Sequence, residues 1–135
     1  MPRKHDTEKL RKILDCFDAA GGKCVSGEKI SEALKCSRAN VWKCISELRA
    51  EGYEIDAVTN SGYTLRSAPD KLLPFEVARG LNTERIGKGG IRYYETIGST
   101  NDVAYRLAEN GAPEGTLVIA EKQTAGRGRF DREWV

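Results

Sequence analysis

The sequence predicts an α+β chain, and three observations carry that expectation. Residues 7–50 hold three stretches with apolar side chains at helical spacing. Residues 53–65 then switch to alternation around a turn-forming quartet, and residues 91–120 read strand, helix, strand. Period 3.6 marks helices packed on one face, and period 2 marks half-buried strands. Three helices followed by a β-hairpin is the winged helix-turn-helix pattern. The later strand–helix–strand run reads as the first part of an α/β or α+β catalytic domain.

The first helix places Leu10, Ile13, Leu14 and Phe17 on one face, and Gly21-Gly22 ends it. Ser26 is a good N-cap for a second helix from Gly27 to Leu34, with Ile30, Ala33 and Leu34 turned inward. Lys35-Cys36 is a tight turn. Ser37 caps a third helix whose inner stripe is Val41, Cys44, Ile45 and Leu48, and Gly52 ends it. Tyr53, Ile55 and Ala57 share one side of a strand. Thr59-Asn60-Ser61-Gly62 is turn chemistry, and Tyr63-Thr64-Leu65 returns.

Arg66 to Lys71 is polar and carries Pro69, which marks a boundary. The expected division is 1–66 for the winged helix, 67–82 for a linker with a short helix, and 83–135 for the opening part of a catalytic domain. Within the linker, Phe75, Ala78 and Leu81 share a face of a helix over 72–81 behind Pro74. Ile86-Gly87-Lys88-Gly89-Gly90 is a turn; it lacks the Gly-Lys-Ser ending of a phosphate-binding P-loop. Ile91–Glu95 is a strand and Thr96–Gly98 a loop. Ser99 caps a helix through Asn110, with Asp102 as its capping-box partner and Val103, Ala104 and Leu107 apolar. Thr116–Ala120 is nearly continuous in apolar residues, the pattern of a strand buried on both faces.

Composition is that of an ordinary globular chain, 39% hydrophobic and 31% charged, with a net charge of +2. Residues 1–67 hold 12 Lys+Arg against 10 Asp+Glu, so bulk charge does not announce a nucleic-acid binder. Any such function rests on local arrangement. No apolar run reaches the roughly 18 residues of a membrane span, and the polar start lacks an apolar signal core, which points to the cytoplasm. Cys16, Cys24, Cys36 and Cys44 show no Cys-x-x-Cys spacing; they read as part-buried free thiols, and no metal site is expected.

On the third helix, Ser37, Arg38, Ala39, Trp42, Lys43 and Ser46 lie away from the apolar stripe. They are the candidates for DNA bases or phosphates, with Asn60 at the hairpin tip beside Thr59 and Ser61. With so little net charge, useful affinity calls for a homodimer on two half-sites. An exposed tryptophan also suits a protein contact, so a winged helix that only mediates protein association stays open.

The densest chemistry lies at the end: Gly126-Arg127-Gly128-Arg129-Phe130-Asp131-Arg132-Glu133-Trp134. Glycines let backbone approach a ligand, and guanidinium groups fork onto carboxylate or phosphate oxygens. This loop, with Gln123 before it and Ser99-Thr100-Asn101 upstream, resembles the biotin protein ligases. Ser26-Gly27-Glu28, Ser37-Arg38 and Gly62-Tyr63 resemble the bifunctional class that also represses the biotin operon.

That resemblance implies a winged helix-turn-helix followed by the first part of a class II synthetase-like ligase domain. It implies biotin and ATP as substrates, with Mg²⁺, and activation of biotin to biotinyl-5′-AMP. Transfer to a lysine of a biotin carboxyl carrier domain follows, with biotinyl-AMP as corepressor on operator DNA. Ser99, Thr100, Asn101 and Gln123 would line the biotin pocket. Arg127, Gly128 and Arg129 would cover biotin and its activated carboxylate, with Arg129 catalytic. Arg129, Arg132 and Trp134 would meet the nucleotide.

Asp131 stands where the family commonly has glycine, and a carboxylate there can pair with its arginine neighbours. The family's later lysine-bearing motif has no counterpart in these residues, so they are expected to be inactive as a ligase by themselves. A stand-alone winged-helix regulator with a ligand-sensing remnant is the alternative. Taken one residue at a time, Ser99 also reads as a plain helix cap, and the arginines as a solvated loop.

Overall fold

The computed structural model describes residues 6–134, and the chain separates into two compact units, 1–70 and 71–135. The polar start, on which the absence of a signal core was judged, lies mostly outside the described residues.

In the first unit, α1 (Thr7–Ala20), α2 (Gly27–Leu34) and α3 (Arg38–Ala50) precede the antiparallel hairpin β1 (Glu54–Val58) and β2 (Gly62–Ser67). Each helix begins where a side chain satisfies an orphan amide. The Lys9 N–H donates to Asp6 Oδ1 at 3.2 Å, Lys29 N–H to Ser26 Oγ at 3.1 Å, and Asn40 N–H to Ser37 Oγ at 3.2 Å. Gly21 closes α1 in the left-handed conformation, and Lys35 makes the same turn between α2 and α3. The buried stripes are Leu10, Ile13, Leu14 and Phe17; Ile30 and Leu34; and Val41, Cys44, Ile45 and Leu48. Each fully buried Leu or Ile contributes about 1.5–3 kcal/mol. Ala33 is exposed instead of inward, because the eight-residue α2 buries only two of its side chains.

The hairpin pairs Ile55 with Leu65 and Ala57 with Tyr63, and Asn60 takes φ +62° in its turn. Tyr53 and Ile55 are buried as their alternation predicts, but Ala57 is exposed: the wing leaves the core before reaching it. Val25 and Tyr63 exchange two backbone hydrogen bonds of 2.8 Å, which stitch the wing to the segment before α2. Gly62 makes that seam attainable. Its φ is +123°, and a Cβ there would lie 2.1 Å from the Val25 carbonyl oxygen.

The second unit holds α4 (Pro74–Ala78), β3 (Ile91–Ile97), α5 (Thr100–Glu109) and β4 (Leu117–Gln123). Strands β3 and β4 pair in parallel across α5, a βαβ unit. Helix α4 is shorter than its apolar spacing predicts. Arg79 is already extended and Gly80 has φ +72°, so Leu81 lies beyond the helix while Phe75 and Leu73 anchor it. Thr96 and Ile97, expected in a loop, extend β3, because Lys122 and Gln123 offer them partners. Strand β4 is half-buried and not buried on both faces, since one neighbouring strand and one helix cannot cover both sides. On α5, Val103 and Leu107 are half-buried and Ala104 is exposed.

Candidate functional site

The start of α5 is not capped as the sequence suggests. Ser99 sits at the N-cap position and is buried, but its side chain makes no capping hydrogen bond. Gln123, at the end of β4, does that work: its Oε1 accepts from the Thr100 N–H at 2.8 Å and from Thr100 Oγ1 at 3.1 Å. Asp102 is likewise not a capping-box partner; its Oδ1 receives Nη2 of Arg127. The Thr124 N–H donates to the Ile97 carbonyl and the Ala125 N–H to that of Gly98, each at 2.8 Å. The first turn of α5 and the arginine-glycine loop therefore form one structure. Local sequence rules missed it because its partners lie 23 and 25 residues apart.

Beyond this anchor the loop doubles back. The Gly128 N–H donates to the Arg132 carbonyl at 2.8 Å, and Arg127 and Glu133 form an antiparallel bridge. A Cβ at Gly128 would meet Arg132 O at 3.0 Å and Trp134 Cδ1 at 3.3 Å, so a small residue suits that close crossing. Phe130 and Asp131 follow with φ +59° and +54°, in a single 3₁₀ turn from Arg129 to Asp131. Aspartate enters the left-handed region more readily than most side chains, and glycine more readily still.

The sequence-predicted ligand residues divide by environment. Ser99 is buried, Thr100, Gln123 and Gly128 are half-buried, and Asn101, Arg127, Arg129, Arg132 and Trp134 are exposed. Arg127 is compensated by Asp102. Among the described residues, the side chains of Asn101, Arg129 and Arg132 take part in no hydrogen bond or ion pair, and Asp131 pairs with neither neighbouring arginine. The Arg129 guanidinium lies 5.6 Å from the centre of the Phe130 ring. Chemically, the loop presents two uncommitted guanidinium groups and one that is held in place.

On α3, Arg38, Ala39, Trp42 and Lys43 form an exposed face, with Trp42 61% exposed. Arg38 lies 3.6 Å from Glu28 of α2, a pairing the sequence did not flag. Ser37 is engaged as the cap, and Ser46 Oγ donates to the Trp42 carbonyl at 2.9 Å. Asn60 is exposed at the wing tip. Of the cysteines, Cys44 is buried, Cys24 exposed, and Cys16 and Cys36 lie between. Burial, followed by the nearby Glu47, pushes the Cys44 thiol above its ordinary range; burial and Asp15 do the same at Cys16. Among the described residues no group of three or more His, Cys, Asp or Glu gathers as for a metal ion. No helix among them is long and apolar enough to cross a membrane.

A family model described as an HTH domain matches residues 9–64. The chain is 53% identical over 126 residues to the bifunctional ligase/repressor BirA of Bacillus subtilis, covering 93% of this chain and 38% of that protein. It is 37% identical over 116 residues to BirA of Escherichia coli, covering 85% of this chain and 34% of that one. A biotin–[acetyl-CoA-carboxylase] ligase of Mycobacterium tuberculosis is 43% identical over 70 residues, 48% of this chain and 26% of its own length.

Three helices with a wing, ahead of a βαβ unit, make this a winged helix-turn-helix followed by an α/β segment. It is a homologue of the bifunctional ligase/repressors and matches their N-terminal portion, spanning 38% of the length of the Bacillus subtilis relative.

Proposed function

We propose that this chain provides the DNA-reading half and the first ligand-binding elements of a bifunctional biotin–protein ligase and repressor of biotin genes. One observation above all supports the reading: the arginine-glycine loop is fastened, through Gln123–Thr100 and Arg127–Asp102, to the Ser99-Thr100-Asn101 turn. Residues far apart in sequence thus meet in one place.

In this reading the turn and Gln123 bind biotin, and Arg127 and Gly128 border its carboxylate. A carboxylate oxygen attacks the α-phosphorus of ATP, pyrophosphate leaves, and biotinyl-5′-AMP forms. Arg129 and Arg132, which form no ion pair among the described residues, stabilise the negative charge that builds on the phosphorus oxygens, with Trp134 beside the nucleotide. Mg²⁺ bound together with ATP would supply further positive charge at the phosphates beside Arg129 and Arg132. A carrier lysine amine then attacks the acyl carbon and AMP departs. Biotinyl-5′-AMP also serves as corepressor, favouring a homodimer that places two copies of α3 and two wings on operator DNA. The protein acts in the cytoplasm, and the domains divide as 1–66, 67–82 and 83–135.

A fluorescence titration with biotinyl-5′-AMP tests the site. With Trp42→Phe as background, Trp134 is the reporter, and a saturable change is expected. Arg129→Ala and Arg132→Ala should each weaken binding roughly ten- to a hundredfold, as for lost charge-assisted hydrogen bonds. No saturable change in the background protein overturns the reading. The 135 residues alone should give no turnover in a radiolabelled biotin-transfer assay, and robust turnover would contradict that.

A further inference from the structure

We infer that Arg49 is a positioning residue for DNA reading, whose guanidinium fixes the wing at a set angle to α3. The inference rests on the reading of α3 and the wing tip as the DNA-contacting elements. Arg49 stands in the last turn of α3, next to the buried Leu48. Its Nε and Nη2 both donate to the Ile55 carbonyl of β1, at 3.0 and 2.7 Å. Guanidinium donors are charged and set in a rigid fork, so two of them on one oxygen fix its direction as well as its distance. The bonds bridge the turn through Glu51, Gly52 and Tyr53, by which the chain passes from helix to wing.

The place of the clamp is specific. Ile55 lies where the hairpin register slips: Glu54 pairs with Ser67 but Ile55 with Leu65, which leaves Arg66 as the extra residue of a bulge. A bulge sets the local bend and twist of a ribbon. The extra residue is itself engaged, since Arg66 Nε donates to Asp56 Oδ2 at 2.6 Å. Nearer the turn, the Val25–Tyr63 bonds fasten the wing to the segment before α2. Arg49 ties the wing base to the helix that carries Arg38, Trp42 and Lys43. The α3 face and Asn60 at the wing tip are thereby presented to DNA as one rigid surface. Arg49 touches no base in this scheme; it acts through the wing.

The test pairs amide exchange across β1 and β2, without DNA, with mobility-shift titration of the 135-residue chain on upstream DNA of biotin-synthesis genes and on a scrambled duplex. Arg49→Met keeps the long stem and removes the donors; Arg49→Lys keeps the charge and loses the fork. Arg49→Met should speed exchange and weaken specific binding, each about three- to tenfold, the scale of lost hydrogen bonds to a charged group, while the melt stays cooperative. Arg49→Lys should behave as Arg49→Met does. Asn60→Ala should weaken binding in the unaltered protein and have no further effect in the Arg49→Met protein. Wild-type exchange and binding in Arg49→Met overturn the inference. So does an Asn60→Ala effect that is missing in the unaltered protein or undiminished in the Arg49→Met protein. Arg49→Lys binding like the unaltered protein, with Arg49→Met lowering the salt slope by about one, would make Arg49 a phosphate contact and overturn it too. If the unaltered protein prefers neither duplex, the DNA reading fails and this task fails with it. If it prefers the upstream duplex and Arg49→Met binds equally well, the task of Arg49 fails alone.

Discussion

Thirteen apolar side chains of the winged helix are buried, from Leu10 through Ile55, whereas Leu73 and Phe75 are the corresponding pair among the described residues of the second unit. The first unit surrounds its core with three helices and fastens the wing back through Val25–Tyr63. The second lays α5 on β4 and the short α4 against β3, two parallel strands whose side chains stay half-covered. Its cohesion comes from backbone pairing and from polar ties at the strand ends, where the candidate ligand residues lie. One region is built by apolar burial, the other largely by hydrogen bonds that also shape the candidate site. The candidate functional residues therefore stand apart from the core in the first unit and belong to the framework in the second.

The strongest way to break this contrast is to truncate one side chain in each. Leu48→Ala should cost about 2–5 kcal/mol and unfold much of the winged helix, while Val118→Ala in β4 should cost about 1 kcal/mol or less. Denaturant melts monitored by circular dichroism would show it, and equal losses would undo the comparison. Next in size is Gly62→Ala. With φ +123° and the Val25 carbonyl in the way, it should destabilise by about 1–3 kcal/mol and loosen the wing, seen as faster amide exchange at Val25 and Tyr63.

The helix starts sharpen the contrast at smaller scale. Ser26→Ala and Ser37→Ala should each cost about 1 kcal/mol, because both hydroxyls cap. Ser99→Ala removes no cap. Fraying of the first turn of α5 should follow Gln123→Ala instead, measured by exchange at Thr100, and the reverse result would restore the sequence-based view.

Smallest is a pH effect. Burial holds the folded Cys44 thiol neutral above the 9.0 of an unperturbed cysteine, so the unfolded chain ionises first as pH rises. The contribution is intact below pH 9 and is lost as pH climbs through the raised folded value. Cys44→Ala should show a shallower fall in stability between about pH 8 and 10, and Cys44 should alkylate more slowly than exposed Cys24.

The winged helix was legible because local rules govern it. Ser26 and Ser37 cap, Gly21 terminates, and the stripes of α1 and α3 bury the very residues their spacing selects. The second unit was less legible in structure. Its glycines and arginines pointed to a candidate ligand loop, and Ser99-x-x-Asp102 satisfied a local capping rule that tertiary contacts override. The tie of Arg127 to Asp102 and that of Gln123 to Thr100 depend on parallel strand pairing, which fixes which residues meet only once the strands align. The same pairing drew Thr96 and Ile97 into β3. Strand β4 misled for a related reason: an apolar run reports what a strand can bury, not how many neighbours cover it.

The claim that the compact first unit reads DNA through α3 is tested most directly by a mobility-shift titration. The 135-residue chain would be titrated on upstream DNA of biotin-synthesis genes and on a scrambled duplex of equal length. The account predicts tighter binding to the first, with that preference lost in Arg38→Ala, Trp42→Ala and Lys43→Ala proteins that retain the wild-type melt. Equal binding to both duplexes, unmoved by those three substitutions, would contradict it.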